Sequence, residues 1–150
     1  MKKKIVSSFF LILVLLLTGC SRQMAPEPRK EDGHYTLYYF YISTCHNCQE
    51  FEKVALPLIE EQFGDEVKIV SYDLDALSTI FPYEQMLEQL EKEVSDDDYG
   101  QAPTVAFDGS FMKVGIASGQ EQELVNDMLR AINGEALSGE LEASRYLYKK

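Results

Sequence analysis

Two histidines, three cysteines and no tryptophan stand among 150 residues, and the 14 lysines and arginines are outnumbered by 25 acids. Each shortage excludes something. Zinc is normally held by four ligands, and beyond Cys45, His46 and Cys48 the chain offers His34 and carboxylates, so a metal site is poorly supplied. A formal charge of −11 argues against nucleic acid or anionic lipid as a partner. The apolar stretch from Ile5 to Leu17, broken by Ser7 and Ser8, is too short for a comfortable membrane span. No internal repeat or low-complexity tract interrupts the chain.

What that stretch does fit is a leader. Met1-Lys2-Lys3-Lys4 is a basic n-region, Ile5 to Leu17 an apolar core, and Leu16-Leu17-Thr18-Gly19-Cys20 resembles a bacterial lipobox. Residues 1–19 are therefore predicted to be a lipoprotein signal peptide and Cys20 the lipidated first residue of the mature chain; the alternative is an ordinary secretory signal with a chance cysteine. Removing the leader takes away three lysines and no acid, so the formal charge falls from −11 to −14 and 131 residues remain, enough for one domain but not two. Membrane attachment then rests on a diacyl group at Cys20. The polar, proline-containing segment that follows completes a flexible tether over residues 20–33, with a reach of at most roughly 45 Å from the bilayer. The predicted location is the extracytoplasmic face of a bacterial membrane.

The two cysteines left form Cys45-His46-Asn47-Cys48, between an aromatic, β-branched segment (Thr36 to Ile42) and an amphipathic pattern running from about His46 through Phe63. Cys45 thus falls at a helix N-terminus, where unpaired N–H groups and the helix dipole favour the thiolate that attacks disulfides. Cys45 is the expected nucleophile and Cys48, one turn on, the resolving thiol. Outside the cytosol the pair could also be a staple or part of a metal site. As a staple it would be weak, since closing about four residues constrains the unfolded chain little.

Downstream, Phe51, Val54, Ala55, Leu58, Ile59 and Phe63 share a helix face with a kink expected at Pro57, and Gly64-Asp65 ends it. Val67–Tyr72 reads as a second strand, Leu77 through Val94 as a helix whose regular part begins near Pro82, and Pro103–Phe107 and Ser110–Gly115 as a hairpin around Asp108-Gly109. Ser118 to Glu121 fits a capping box opening a last helix, with Gly134 past its end. Residues 135–150 fit a short terminal helix through Leu137, Leu141 and Leu147. The acidic run from Glu84 to Asp98 reads better as a solvated face than as a binding face.

The order strand, Cys-x-x-Cys, helix, strand, helix, proline-led hairpin and helix resembles the thioredoxin superfamily over residues 34–134, on two motifs: Cys45-His46-Asn47-Cys48 and Ala102-Pro103-Thr104. Small extracytoplasmic lipoproteins of Gram-positive bacteria with such a domain are the nearest general match. The resemblance implies an α/β fold with a central mixed sheet of about four strands flanked by helices. It also implies a cis Ala102-Pro103 bond beside the cysteines, with Ala102, Pro103 and Thr104 binding substrate through the backbone. The chain departs from thioredoxin proper: Ser43-Thr44 replace its tryptophan, and Tyr39 stands where it has a buried carboxylate. Histidine follows Cys45 instead of preceding Cys48, which leaves the redox direction open.

The expected function is a membrane-anchored thiol-disulfide oxidoreductase acting on thiols and disulfides of exported proteins, monomeric, served by a membrane or extracytoplasmic redox partner, and needing neither organic cofactor nor metal. His46, with Asn47, is expected to tune Cys45; the bland alternative is an exposed first-turn histidine without influence. From a different class, the alternative for the whole chain is a non-catalytic accessory module for peptide export or metal handling.

Overall fold

The computed structural model describes residues 23–150. The leader and Cys20 lie outside the described residues, and among the described ones no helix is long and apolar enough to cross a membrane. Alternation along one aromatic strand decides the layout. In β2 (His34–Tyr41) Leu37 and Tyr39 point into one apolar cluster and Phe40 into another, so both faces of this strand are covered. α1 (His46–Phe63) then crosses to β3 (Val67–Asp73), which pairs with β2 in parallel from Tyr35↔Val67 to Tyr41↔Asp73. The hairpin strands β4 (Thr104–Phe107) and β5 (Phe111–Val114) continue the sheet antiparallel on the other edge of β2. The architecture is α/β, with a mixed sheet at its centre.

Helices cover both faces. α1 buries Phe51, Ala55, Ile59 and Phe63, four residues apart, against the sheet and against α3 (Glu121–Ile132), which buries Leu124 and Met128. α1 runs on through Pro57 and stops at Gly64, while Val54, placed on the buried stripe by its spacing, is exposed. Across the sheet, α2 (Ile80–Leu87) sets Tyr83 and Met86 on Phe40, Ala106 and Met112.

Five expectations are corrected. The sheet has six strands instead of about four, because β1 (Lys30–Glu31) pairs with the start of β2 and β6 (Arg145–Leu147) pairs with β5. Residues 23–31 are accordingly docked against the domain: Met24 bridges to Ala136, Arg29 N–H donates to the Asp108 carbonyl at 2.8 Å, and the Arg29 side chain lies over Gly109, where a Cβ would meet it at 2.8 Å. Residues 135–150 hold a strand and no helix. Leu137 and Leu141 are buried, and Arg145 is pulled inward to a buried ion pair with Asp127 at 2.7 Å. The helix expected through Val94 ends at Leu87, because the backbone beyond it is recruited elsewhere: Leu90 bridges to Tyr148, Glu91 N–H donates to Leu147 and Lys149 N–H to Gln89. Ser118 also does not cap α3; Gln120 is the N-cap, and the Glu121 carboxylate accepts from Gly119 N–H at 2.7 Å.

Candidate active site

Strand β2 ends at Tyr41, and the chain turns so that Cys45 N–H donates to the Ile42 carbonyl at 3.0 Å. Cys45 then holds extended dihedrals as the N-cap of α1, and its sulfur accepts from Cys48 N–H at 3.2 Å. A thiol here takes the part usually played by a serine or aspartate cap, meeting one of the unpaired donors of the first turn. Both cysteines are free, Cys45 half-buried and Cys48 buried. One sulfur can be reached from outside, and the other sits one helical turn behind it.

The second motif comes to the same place. The Ala102-Pro103 peptide is cis, and the Cys45 thiol donates to the Ala102 carbonyl at 3.6 Å. Pro103 and Thr104 are buried. The Thr104 hydroxyl is turned away to donate to the Gln101 carbonyl at 2.7 Å. Further bonds pin this loop: Gly100 N–H donates to the Tyr83 hydroxyl at 3.0 Å and Gly115 N–H to the Pro103 carbonyl at 2.8 Å. His46 and Asn47 are exposed on the first turn of α1.

Electrostatics act on the buried thiol. Burial, first, and then the hydrogen bond with Cys45 push the Cys48 thiol above its ordinary range, while the Tyr39 hydroxyl works in the opposite direction. Tyr39 reaches Cys48 from β2, its ring stacked on Phe51 at 4.9 Å, with its hydroxyl 3.3 Å from the Cys48 carbonyl and 3.2 Å from the Glu52 carboxylate. Glu52 itself is exposed. The residue that carries the buried thiol is thus tied at its carbonyl to a phenol, and the phenol to a carboxylate at the surface. Glu52 falls outside the apolar stripe of α1, and its place four residues after Cys48 is the one mark the sequence carries of it.

Comparison with known proteins adds little. No protein-family model matches the chain, and no curated protein matches it. A solved structure described as "Structure of a malarial protein" is 13% identical over 62% of this chain and 93% of that one, with a TM-score of 0.42. A likeness of that size carries no argument.

Lys113 is a second residue the sequence did not single out. It is buried, and its ammonium donates to the Val114 and Gly115 carbonyls, the latter at 2.6 Å, while burial lowers its pKa. Gly115 in turn holds Pro103, so Lys113 braces the strand end on which the Ala102-Pro103 loop leans. Among the described residues no three histidine, cysteine or acidic side chains converge as a metal site.

Proposed function

We propose that the chain is a thioredoxin-like thiol-disulfide oxidoreductase, held at the extracytoplasmic membrane face by a lipid on Cys20, that exchanges disulfides with exported proteins. One observation carries the reading: an accessible cap thiol, Cys45, lies against a second thiol, Cys48, that is closed off from solvent, and beside the Ala102 carbonyl. That asymmetry suits two successive exchanges. The Cys45 thiolate attacks a client disulfide, forming a mixed disulfide and expelling one client thiolate. Cys48 then gives up its proton and attacks the Cys45 sulfur, so the Cys45–Cys48 bond forms and the second client thiolate leaves. Two electrons pass from the pair to the client, and each departing thiolate takes up a proton. Run backwards, the same steps place a disulfide in the client.

The Cys48 thiolate that this second step needs is favoured by the Tyr39 hydroxyl, which also contacts the Glu52 carboxylate. His46 lies exposed on the first turn of α1, next to Cys45. Replacing Cys48 with serine tests the function. The variant should accumulate Cys45-linked mixed disulfides with exported proteins, visible as bands that vanish on reduction. An accessory module that merely uses this surface would hold its partners without covalent capture.

A further inference from the structure

The run of chain that carries Ala102 and Pro103 is held in series along its length. Gln101 N–H donates to the Asp98 carbonyl at 3.2 Å, the Thr104 hydroxyl to the Gln101 carbonyl at 2.7 Å, and Gly115 N–H to the Pro103 carbonyl at 2.8 Å. Ala102 stands apart. Among the described residues its backbone bonds to no other backbone group, and its carbonyl faces the Cys45 thiol. The height of Ala102 over Cys45 is therefore set by what grips the run at its two ends.

Both grips come from the last two strands. At the start of the run, the Asp98 carboxylate accepts from the Tyr146 hydroxyl at 2.6 Å through one oxygen and from the Ser144 hydroxyl at 3.0 Å through the other. Ser144 has a φ of 54°, a left-handed conformation that a residue with a side chain keeps only where its surroundings over-determine it. Here they do: its hydroxyl is bound to Asp98, and its carbonyl accepts from Val114 N–H at 3.0 Å. At the other end, the Lys113 ammonium donates to the Gly115 carbonyl at 2.6 Å, and Gly115 holds Pro103. Lys113 is only 5% exposed, a rare depth for a lysine. Burial lowers its pKa, the Asp98 carboxylate works against that, and Arg145 adds to it. A buried polar network whose members are all bonded fixes one geometry, where apolar packing would accept several.

We propose that Asp98, Tyr146 and Lys113 are positioning residues for client binding: through them β5 and β6 clamp the run from 98 to 104 and hold the Ala102 backbone where a client's extended chain can pair with it while its sulfur meets Cys45. The proposal rests on the oxidoreductase reading and adds to it a task for the C-terminal strand. Among the described residues no hydrogen bond joins these three side chains to Cys45 or Cys48, so they act through the loop.

Two variants of the full chain test the clamp. Tyr146→Phe removes the hydroxyl and keeps the ring; Asp98→Ala removes the acceptor, and should it fail to fold, Tyr146→Phe carries the test alone. With a short peptide disulfide as client, each variant should show a KM about fivefold or more above the parent's with kcat unchanged, the mark of binding lost equally from ground and transition states. Exchange with bis(2-hydroxyethyl) disulfide, which has no peptide backbone to pair, should be unchanged. An unchanged KM for the peptide, or equal loss on both disulfides, would overturn the proposal. Amide hydrogen exchange reads the clamp without turnover. Gly115 N–H should exchange about tenfold or more faster in the variants while the amides of α1 keep the parent's rates. No change at Gly115, or the same acceleration everywhere, as loss of overall stability would give, would also overturn it. A parent that exchanges neither disulfide would sink the oxidoreductase reading and leave the clamp to be decided at Gly115. One that exchanges both, with Gly115 indifferent to the substitutions, would sink the clamp alone.

Discussion

At the scale of single residues, the division of labour between Cys45 and Cys48 follows from depth. Burial makes the Cys48 thiol hard to ionise, and the Tyr39 hydroxyl beside it favours the ionised form. Tyr39→Phe keeps the ring stacked on Phe51 and removes only the hydroxyl. Without the hydrogen bond that favours the Cys48 thiolate, resolution of a preformed Cys45 mixed disulfide is expected to slow by about tenfold, while the first attack by Cys45 is unchanged. Stopped-flow traces of the two steps would separate these effects, and equal slowing of both would contradict the assignment. Cys48 has a consequence for stability as well. Its folded-state pKa is raised above the ordinary 9.0, so the folded protein binds this proton more tightly than the unfolded chain. The resulting stability is complete below about pH 9 and lost as pH rises through the folded value. Reduced protein should therefore lose urea stability above about pH 9 faster than oxidised protein, whose Cys48 has no proton to lose; parallel curves would refute the burial argument. Of these residues the two cysteines were legible from spacing alone. Glu52 and Lys113 were not, because a carboxylate on an exposed helix position and a lysine in a strand acquire their roles only from what the fold sets opposite them.

Between elements, the strongest tie that sequence could not reveal joins α3 to β6. Asp127 is fully buried in α3, where it accepts from Arg145 at 2.7 Å, from Arg130 at 2.9 Å and from the Ser138 N–H at 2.8 Å. Removing one partner of such a pair leaves a buried charge short of compensation. Arg145→Leu is expected to cost about 3 kcal/mol, read as a shift of the urea midpoint, with much of the loss recovered in the Arg145→Leu, Asp127→Leu double variant. A single variant within about 0.5 kcal/mol of the parent would show the tie to be idle. This contact also explains why the terminal helix expected from Leu137, Leu141 and Leu147 does not form. Those leucines are buried as their spacing suggested, but from a loop and a strand, since pairing with β5 supplies backbone bonds that a short isolated helix would lack in competition with it. The helix expected to reach Val94 fails for the same reason. By contrast β2, α1, β3 and the Asp108-Gly109 hairpin were legible, because each is specified by its own alternation, cap or turn.

Over the whole molecule, the correction with the widest effect is at the N-terminal side. Docking of residues 23–31 leaves three peptide units between Cys20 and Gln23, a reach of about 10 Å where composition had suggested several times that. A lipid on Cys20 would then hold the domain close against the bilayer. Trypsin under native conditions should leave the Arg29-Lys30 bond intact, since Lys30 pairs with Tyr35 and Arg29 with Asp108; rapid cleavage there would restore the long tether. Polar composition was a poor guide in this segment because its bonds are made to partners far away in sequence, Gln23 to Arg145 among them. The central claim, that Cys45 and Cys48 are a reversible two-electron couple, is tested most directly by equilibrating the protein in glutathione buffers and scoring both thiols by alkylation mass shift. A single transition in which the two thiols disappear together, at a potential between about −120 and −270 mV, is the predicted result. Thiols that titrate independently, or that take up glutathione without ever closing on each other, would contradict it.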